Sequence, residues 1–467
     1  MRIISALVVL LAAASANAQQ SYLIDWDEAG EEAIQHFVDL VRINTTNPPG
    51  NETLVVEYLE EVLDGEGIDY EVYALDPDRA NLVARIRGNG SKRPILMMGH
   101  TDVVGVQPDK WYADPFSGNR EDGFIYGRGT LDDKDNLTAS LMVIKLLQRY
   151  GVKLDRDVIF LAEAGEEGTP EVGINFMVEK HYDAIDAEYA LAEGGENIIA
   201  DGKVTRVGIE TTEKMPRRVT LVATGKPGHG SIPTPENAVT ILANAIARAG
   251  AWETEVRLND TTRTYFRRLA EISAPEDAFR YLNVENEDES DAIQRHFLET
   301  FPYHYSISRT SVVPTVIDAG FRKNVIPSEA TAMLDIRMLP DEDVDEFYEK
   351  LAAVIDDPRV TIVPERIYRP AAPPSEIDNE MFRVLEDVAL RMYPSATVLP
   401  IMQTGATDMA QVRAKGMQAY GVGPARTVAE RNSGYGAHGD NERIEEKAFV
   451  DLVKYMWNVV LEVAATP

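Results

Sequence analysis

Three short apolar segments, each followed directly by acidic or histidine residues, constrain the fold of this chain more than any other feature: Pro94–Gly99, Val158–Ala162 and Tyr189–Ala192. Their length and continuous apolar character predict buried β-strands. Together with helical patterns between them, they indicate an α/β fold with a mostly parallel central sheet flanked by helices. Ligands bind such sheets beyond the carboxyl ends of the strands, so we expect the polar residues that follow these segments to form one site.

Two patterns succeed one another along the chain and predict two domains. Apolar residues at helical spacing predict helices that flank the sheet at Asp25–Ile43, Glu52–Leu63 and Glu376–Met392. Residues 213–370 read instead as a compact α+β unit, which contains a charged, irregular and acidic insertion with helical stretches, Ala251–Thr310. We therefore expect residues 19–212 and 371–467 to form one domain, into which residues 213–370 are inserted.

The first residues have the form of an export signal. A positive start is followed by an apolar run, Ile3–Ala14, and by the small residues Ala16-Asn17-Ala18. This order predicts a signal peptide, residues 1–18, that is cleaved after Ala18 to give a secreted or periplasmic protein without a membrane anchor. The run is too short for a comfortable transmembrane helix, although an uncleaved anchor is the alternative.

Composition excludes several classes of function. The 467 residues include no cysteine, which rules out cysteine nucleophiles and thiolate metal sites. The formal net charge of −31 would repel nucleic acid, so we expect no nucleic-acid partner. Any metal must therefore be held by nitrogen and oxygen ligands.

The residues after the first apolar segment suit one such ligand. His100 ends the segment, and Asp102 lies two residues on, facing the same side of an extended chain. A carboxylate there can accept the hydrogen bond of the imidazole, as the partners of metal-bound histidines do. A surface His–Asp pair without a metal is the alternative.

Four further clusters bear carboxylate or histidine side chains within glycine-rich sequence. They contain Asp132 and Asp133, Glu166 and Glu167, Glu193, and His438. Adjacent glutamates can have different roles: one can bind a metal while the other takes a proton from an activated water. Each cluster alone has a simpler explanation: a helix cap at Asp132 or Asp133, exposed acidic loops at the glutamates, and a histidine without a metal at position 438.

Taken together, these side chains form a ligand set for metal ions. Two histidines and several carboxylates without sulfur suit zinc, with cobalt or manganese as alternatives. Two ions can share such a set if one carboxylate bridges them.

The motifs that carry these residues resemble a known family. The runs Gly99–Asp102, Asp114–Gly118 and Asp122–Lys134 resemble the dinuclear zinc exopeptidases and aminoacylases, which include aminoacylase, glutamate carboxypeptidase G, succinyl-diaminopimelate desuccinylase, carnosinase and carboxypeptidase S. Gly127–Lys134 looks like the carboxypeptidase S and secreted N-acyl-amino-acid hydrolase branch. The resemblance covers nearly the whole chain after the signal peptide.

The resemblance implies a role for each residue of the first domain. His100 and Glu193 would bind one zinc ion, Glu167 and His438 would bind the other, and Asp132 would bridge both, with a cis Asp132–Asp133 peptide. Glu166 would be the general base, and Asp102 would orient His100. Residues 19–212 and 371–467 would then be the catalytic domain, and residues 213–370 a lid and dimerisation domain.

The inserted domain also carries motifs that match the family. In Lys226–Ser231, His229 would stabilise the developing oxyanion, and it often reaches the site of a partner subunit in family dimers. Asn324 and Arg337 look like a substrate-binding pair, in which the planar guanidinium of Arg337 suits a substrate carboxylate. Gly405–Asp408 resembles a loop near that carboxylate.

These features predict a hydrolase of a peptide or N-acyl amide bond next to a free carboxylate, acting through metal-activated water with Glu166 as base. Its substrates would be small peptides or N-acyl amino acids, and its lid domain would form a homodimer. The alternatives are a hydrolase of an ester or cyclic amide on the same site, and a non-catalytic binding protein on this scaffold.

Overall fold

The computed structural model describes residues 22–466. The predicted signal peptide and its cleavage site after Ala18 therefore lie outside the described residues. Within residues 22–466, no helix has both the length and the apolar character that a membrane crossing requires.

The chain separates into two compact units. The first contains the residues up to Glu210, the segment Ser375–Val398 and the residues from Lys415 onward. The second contains Thr211–Pro374 and Leu399–Ala414.

Helices and strands alternate along the first unit and segregate in the second. The helices are α1 Trp26–Arg42, α2 Thr53–Glu66, α3 Lys134–Arg149, α4 Ile174–Lys180, α5 Tyr182–Ile185, α6 Ala238–Gly250, α7 Asp260–Glu271, α8 Pro275–Leu282, α9 Ser290–Thr300, α10 Pro302–Ile307, α11 Val344–Ile355, α12 Glu380–Met392, α13 Met409–Ala414, α14 Val428–Asn432 and α15 Glu446–Ala464. The strands are β1 Tyr70–Ala74, β2 Ala80–Ile86, β3 Ile95–His100, β4 Asn119–Glu121, β5 Phe124–Tyr126, β6 Val158–Glu163, β7 Tyr189–Ala192, β8 Glu196–Ala200, β9 Lys203–Glu213, β10 Met215–Pro216, β11 Val219–Thr224, β12 Gly228–His229, β13 Ser311–Ala319, β14 Val325–Ile326, β15 Glu329–Met338, β16 Val360–Pro364, β17 Thr397–Gln403, β18 Gln418–Gly421, β19 Ala425–Thr427 and β20 Arg443–Glu445.

The three apolar segments form the parallel centre of a 10-stranded sheet. Strands β6, β3, β7 and β18 run parallel in that order, with antiparallel pairs toward both edges. Every residue of β3, β6 and β7 is buried, which explains their continuous apolar sequences. The expected α/β class with a mostly parallel central sheet is confirmed, and the carboxyl ends of its central strands share one edge.

Helices cover this sheet and complete the core of the first unit. Helix α3 packs against α1 and α15. Phe37 of α1 stacks on Phe449 of α15, with 4.4 Å between ring centroids. The last long helix of the chain thus packs directly beside the first.

The second unit is built on a 5-stranded antiparallel sheet. Burial alternates along β15, as expected for a strand with one covered face. Its buried residues pack with Leu242 of α6 and with Phe347 and Leu351 of α11. This α+β architecture differs from that of the first unit.

The acidic insertion is more regular than its sequence suggests. Most of Ala251–Thr310 forms the helices α7 to α10. Asn259 caps α7 through a reciprocal pair of hydrogen bonds with Thr262. Phe266, Phe297 and other aromatic side chains of these helices form a separate core. The charged residues therefore lie on the outer faces of short amphipathic helices.

Candidate metal centre

His100 lies where β3 ends, with its side chain 2% exposed. Its Nδ1 lies 3.0 Å from the carbonyl oxygen of Asp102, an acceptor, so Nδ1 donates that hydrogen bond. Its Nε2 lies 2.9 Å from Oδ1 of Asp132. Burial opposes a charge on His100, yet the carboxylates of Asp102 and Asp132 raise its pKa well above the usual value. The imidazole is thus held with Nε2 directed toward acidic groups.

The carboxylate of Asp132 faces two histidines with its two oxygens. Oδ1 faces His100, and Oδ2 lies 3.1 Å from Nε2 of His438. Burial raises the pKa of Asp132, but hydrogen bonds to the two histidines outweigh this effect and lower the pKa below its usual value. The Asp132–Asp133 peptide is cis, as expected. One carboxylate placed between two nitrogen ligands is the arrangement that a shared metal ligand requires.

Asp102 organises the two glutamates that follow β6. The fully buried Asp102 accepts the amide N–H of Glu166 on Oδ1 and that of Glu167 on Oδ2, each at 3.1 Å. Asn47 donates a further hydrogen bond to Oδ2 at 2.8 Å. Glu166 is only 8% exposed, and Oε1 of Glu167 lies 2.9 Å from Nε2 of His438. The alternative of an exposed acidic loop is therefore wrong for this pair.

Glu193 approaches the same place from β7. Its Oε1 lies 3.9 Å from Nε2 of His100. Ligand atoms of His100, Glu166 and Glu193 lie within 4.8 Å of one another, as do those of His100, Asp132 and Glu167. Burial and the negative charges of Asp132 and Asp133 raise the pKa of Glu193 well above its usual value. A divalent cation would offset this repulsion, so the donor set fits metal ions.

The helix-cap alternative for the aspartate pair is also wrong. Asp133 occupies the N-cap position of α3, but its side chain makes no capping hydrogen bond. Its Oδ2 instead accepts the amide N–H of His100 at 3.2 Å. Burial raises the pKa of Asp133 to about 7. Both aspartates are therefore directed toward the histidine site.

His438 enters on a glycine-rich loop. Its side chain is 53% exposed, and its backbone has a φ of 63°. This left-handed conformation is unfavourable for a residue with a side chain and is frequent at functional sites. A Cβ at Gly439 would lie 2.2 Å from the carbonyl oxygen of Gly434, so the tight loop requires glycine there.

The remaining predicted residues lie in the second unit. His229, in β12, is exposed, and its Nδ1 lies 2.7 Å from the hydroxyl of Ser231. Asn324 lies beside it, because its carbonyl accepts the amide N–H of Gly230 at 2.8 Å. Arg337, in β15, donates from Nε and Nη2 to Asp335 at 2.6 and 3.2 Å. The structure thus brings His229 and Asn324 together.

The loop Gly405–Asp408 also lies in the second unit. Glu213 holds this loop, because its carboxylate accepts hydrogen bonds from the amide and the hydroxyl of Thr407 at 3.1 and 2.8 Å.

Three buried polar residues beside the centre carry no predicted role. Asn47 appears in the sequence as part of a helix stop, and Lys134 and Glu442 appear within the motifs without a function. Lys134 donates from Nζ to the carbonyls of Leu40 and Ile43 at 2.9 and 2.7 Å. Because all three act through contacts distant in sequence, no local pattern signals them.

This candidate ligand set suits a metal-dependent hydrolase. Residues 96–462 match the Peptidase family M20/M25/M40, and the chain belongs to that family. It is therefore a family M20 hydrolase of the metallopeptidase and amidohydrolase type.

Individual relatives agree with this assignment. The chain is 30% identical to a probable carboxypeptidase S-like 2 of Dictyostelium discoideum, over 79% of this chain and 72% of that protein. It is 26% identical to an N-fatty-acyl-amino acid synthase/hydrolase of Homo sapiens, over 92% and 87%. The M20 family metallo-carboxypeptidase Sso-CP2 of Sulfolobus solfataricus has the same fold, with a TM-score of 0.67 at 21% identity, covering 92% of this chain and 98% of that one.

The contacts of Asp102 give a testable prediction. Asp102→Asn would lose the charge that faces His100 and would replace one acceptor by a donor directed at an amide N–H. We expect metal affinity to fall by about 10- to 100-fold, the usual effect of removing a partner of a metal ligand. Titration of the metal-free protein with zinc against a competing chelator measures this. An unchanged affinity would contradict an orienting role of the Asp102 carboxylate and would leave the main-chain carbonyl of Asp102, which the variant keeps, as the group that orients His100.

Proposed function

We propose that this chain is a two-metal hydrolase that cleaves a peptide or N-acyl amide bond next to a free carboxylate. The observation that carries the proposal is the carboxylate of Asp132, whose two oxygens face His100 at 2.9 Å and His438 at 3.1 Å. His100 and Glu193 would hold one ion, Glu167 and His438 would hold the other, and Asp132 would be shared by both. Zinc suits this set, and cobalt or manganese could replace it.

Bound there, the ions supply Lewis acidity that polarises the scissile carbonyl and lowers the pKa of water. Glu166 takes the proton of the attacking water as general base and delivers it to the nitrogen of the leaving amine. Asp102 keeps Glu166 in place, because it accepts the amide N–H of that residue at 3.1 Å. No covalent intermediate with the enzyme is needed.

The second unit supplies hydrogen-bond donors for the substrate. His229 is exposed and stabilises the developing oxyanion. Arg337 binds the free carboxylate of the substrate with its planar guanidinium, and Asn324 assists from the loop beside His229. We assign this unit as a lid that delivers these donors when it closes. The similarity to N-acyl-amino-acid and peptide hydrolases supports this class of substrate.

The second unit is also the proposed dimer interface. Strand β13 pairs with β15 along one side and, among the described residues, has no strand on its other side. Val316, Ile317 and Phe321 on or next to this edge are 54%, 63% and 78% exposed. Exposed apolar edges of this kind pair with other strands, and a second copy of this chain fits here. Light scattering that gives the mass of a single chain would contradict this.

The first residues favour export. We propose that residues 1–18 direct the protein to the periplasm or the medium, with cleavage after Ala18. Sequencing the N-terminus of the protein recovered outside the cytoplasm tests this.

Glu166→Gln separates the proton-transfer step from metal binding. We expect the variant to keep both ions and to lose about 10²- to 10⁴-fold in kcat, because glutamine cannot accept the proton of water. Elemental analysis and the release of free amino acid from dipeptides and N-acyl amino acids, with and without chelator, measure both quantities. Substantial residual turnover would contradict Glu166 as base, and activity indifferent to chelator would contradict the metal assignment. Esters and cyclic amides are assayed beside these substrates, and their preferential cleavage would favour the alternative hydrolases.

Arg337→Lys tests recognition of the substrate carboxylate. Lysine keeps the charge but loses the two-pronged geometry, so we expect KM to rise roughly tenfold for substrates with a free carboxylate. KM for the same substrates capped as amides should not change. Arg218→Lys is the matched control, because Arg218 contacts the same Asp335 carboxylate at 3.5 Å and is 48% exposed. An equal effect on capped and free substrates would contradict the role of Arg337.

A further inference from the structure

Glu442 is fully buried four residues beyond His438. Its Oε1 accepts the amide N–H of Leu131 at 2.7 Å, and its Oε2 accepts that of Gly129 at 3.3 Å. Its carbonyl oxygen accepts the amide N–H of Gly127 at 3.0 Å. One residue of the C-terminal loop therefore binds, at three points, the segment that leads directly into Asp132.

Arg128 completes this contact. Its Nη1 donates to the same Oε2 of Glu442, and the residue is 2% exposed. Its guanidinium lies over the ring of Trp111, 5.5 Å from the centroid. The buried negative charge of Glu442 is thus paired and covered, which stabilises it in this position.

The residue before Glu442 anchors the loop a second time. Oδ1 of Asn441 accepts the amide N–H of Tyr112 at 2.9 Å, and its Nδ2 donates to the carbonyl of Lys110 at 3.3 Å. His438 itself is half-exposed and has the unfavourable φ of 63°. The anchors at Glu442 and Asn441, and not the local preference of the backbone, therefore fix where His438 lies.

We propose that Glu442 is a positioning residue that sets Asp132 and His438 at the separation needed to share one metal ion. Glu442 positions Asp132 through its hydrogen bonds to the backbone of Gly127–Leu131. It positions His438 through the short segment of chain between the two residues. The inference rests on the proposed function, since it concerns the same pair of ions. It adds that the site formed by Asp132, Glu167 and His438 depends on Glu442 through two of its residues, while the site formed by His100 and Glu193 depends on it only through the shared Asp132.

Glu442→Gln in the full chain tests this role. Glutamine lacks the charge that pairs with Arg128 and offers one oxygen where two amide N–H groups need acceptors. Equilibrium dialysis against buffered free zinc, followed by elemental analysis, gives the two dissociation constants. We expect the dissociation constant of the site formed by Asp132, Glu167 and His438 to rise about 10- to 100-fold, the range found when a partner of a metal ligand is removed, and that of the other site to rise less. Turnover of the variant should recover as free zinc is raised, with KM unchanged. At the same free cobalt concentration, the absorption spectrum of the cobalt-substituted variant should lack the contribution of the second ion that the parent protein shows.

Two further variants keep the result decisive. Arg156→Met removes another buried arginine in the same unit, near the opposite end of β6. Arg156 is 1% exposed and forms ion pairs at 3.0 Å with Glu188 and with Glu380. This substitution should lower thermal stability without changing either dissociation constant. Arg128→Lys serves as the test if Glu442→Gln does not fold. It keeps a positive charge beside Glu442, and we expect a smaller loss of affinity, confined mainly to the same ion.

Equal weakening of both ions in Glu442→Gln, or parent affinity at both sites, would overturn the positioning role while leaving the two-metal function intact. Unchanged zinc affinity in Arg128→Lys would likewise overturn it. A parent chain that binds no zinc would overturn the proposed function, and the role of Glu442 with it.

Discussion

The carboxylate of Asp132 lies between two histidines from distant parts of the sequence, and much of the first unit serves to keep it there. A carboxylate removed from water is stable only when hydrogen bonds or positive charges compensate it. Asp132 obtains this compensation from His100 and His438. Asp102 obtains it from the side chain of Asn47 and from two backbone amides. The same electrostatic rule therefore applies to both Asp132 and Asp102 at this edge of the sheet.

The parallel strands make this arrangement geometrically possible. Because β3, β6 and β7 are parallel neighbours, their carboxyl ends deliver His100, the Glu166–Glu167 turn and Glu193 to one place. The apolar bodies of these strands supply the rigid core that holds the polar ends. Stability and chemistry are thus separated along the chain: the buried bodies of the strands carry the first, and His100 at the end of β3 and the residues that follow β6 and β7 carry the second.

Much of this could be predicted from the sequence, because the determining signals are local. A continuous apolar run that ends at His100 marks a buried parallel strand, and an alternating strand such as β15 marks a sheet with one covered face. Asn47 and Glu442 could not be assigned in this way, since their partners are far away in the sequence. Asp133 has the residue type and position of a helix cap. Its side chain instead accepts a hydrogen bond from the amide of His100, a contact that the local sequence does not indicate. The helices of the acidic insertion are short and highly charged, so their apolar faces are hard to recognise without their shared aromatic core.

The sequence separation of the ligands has a consequence for how the protein matures. His438 precedes α15, the helix whose Phe449 stacks on Phe37 near the start of the chain. Contacts between such distant segments form late, because the entropy of closing a long loop must be overcome first. A chain still emerging from the ribosome or from a translocation channel would hold His100, Asp132 and the glutamates but not His438. The complete set of proposed ligands therefore exists only after the end of the chain has docked, which would make full metal loading a marker of finished folding.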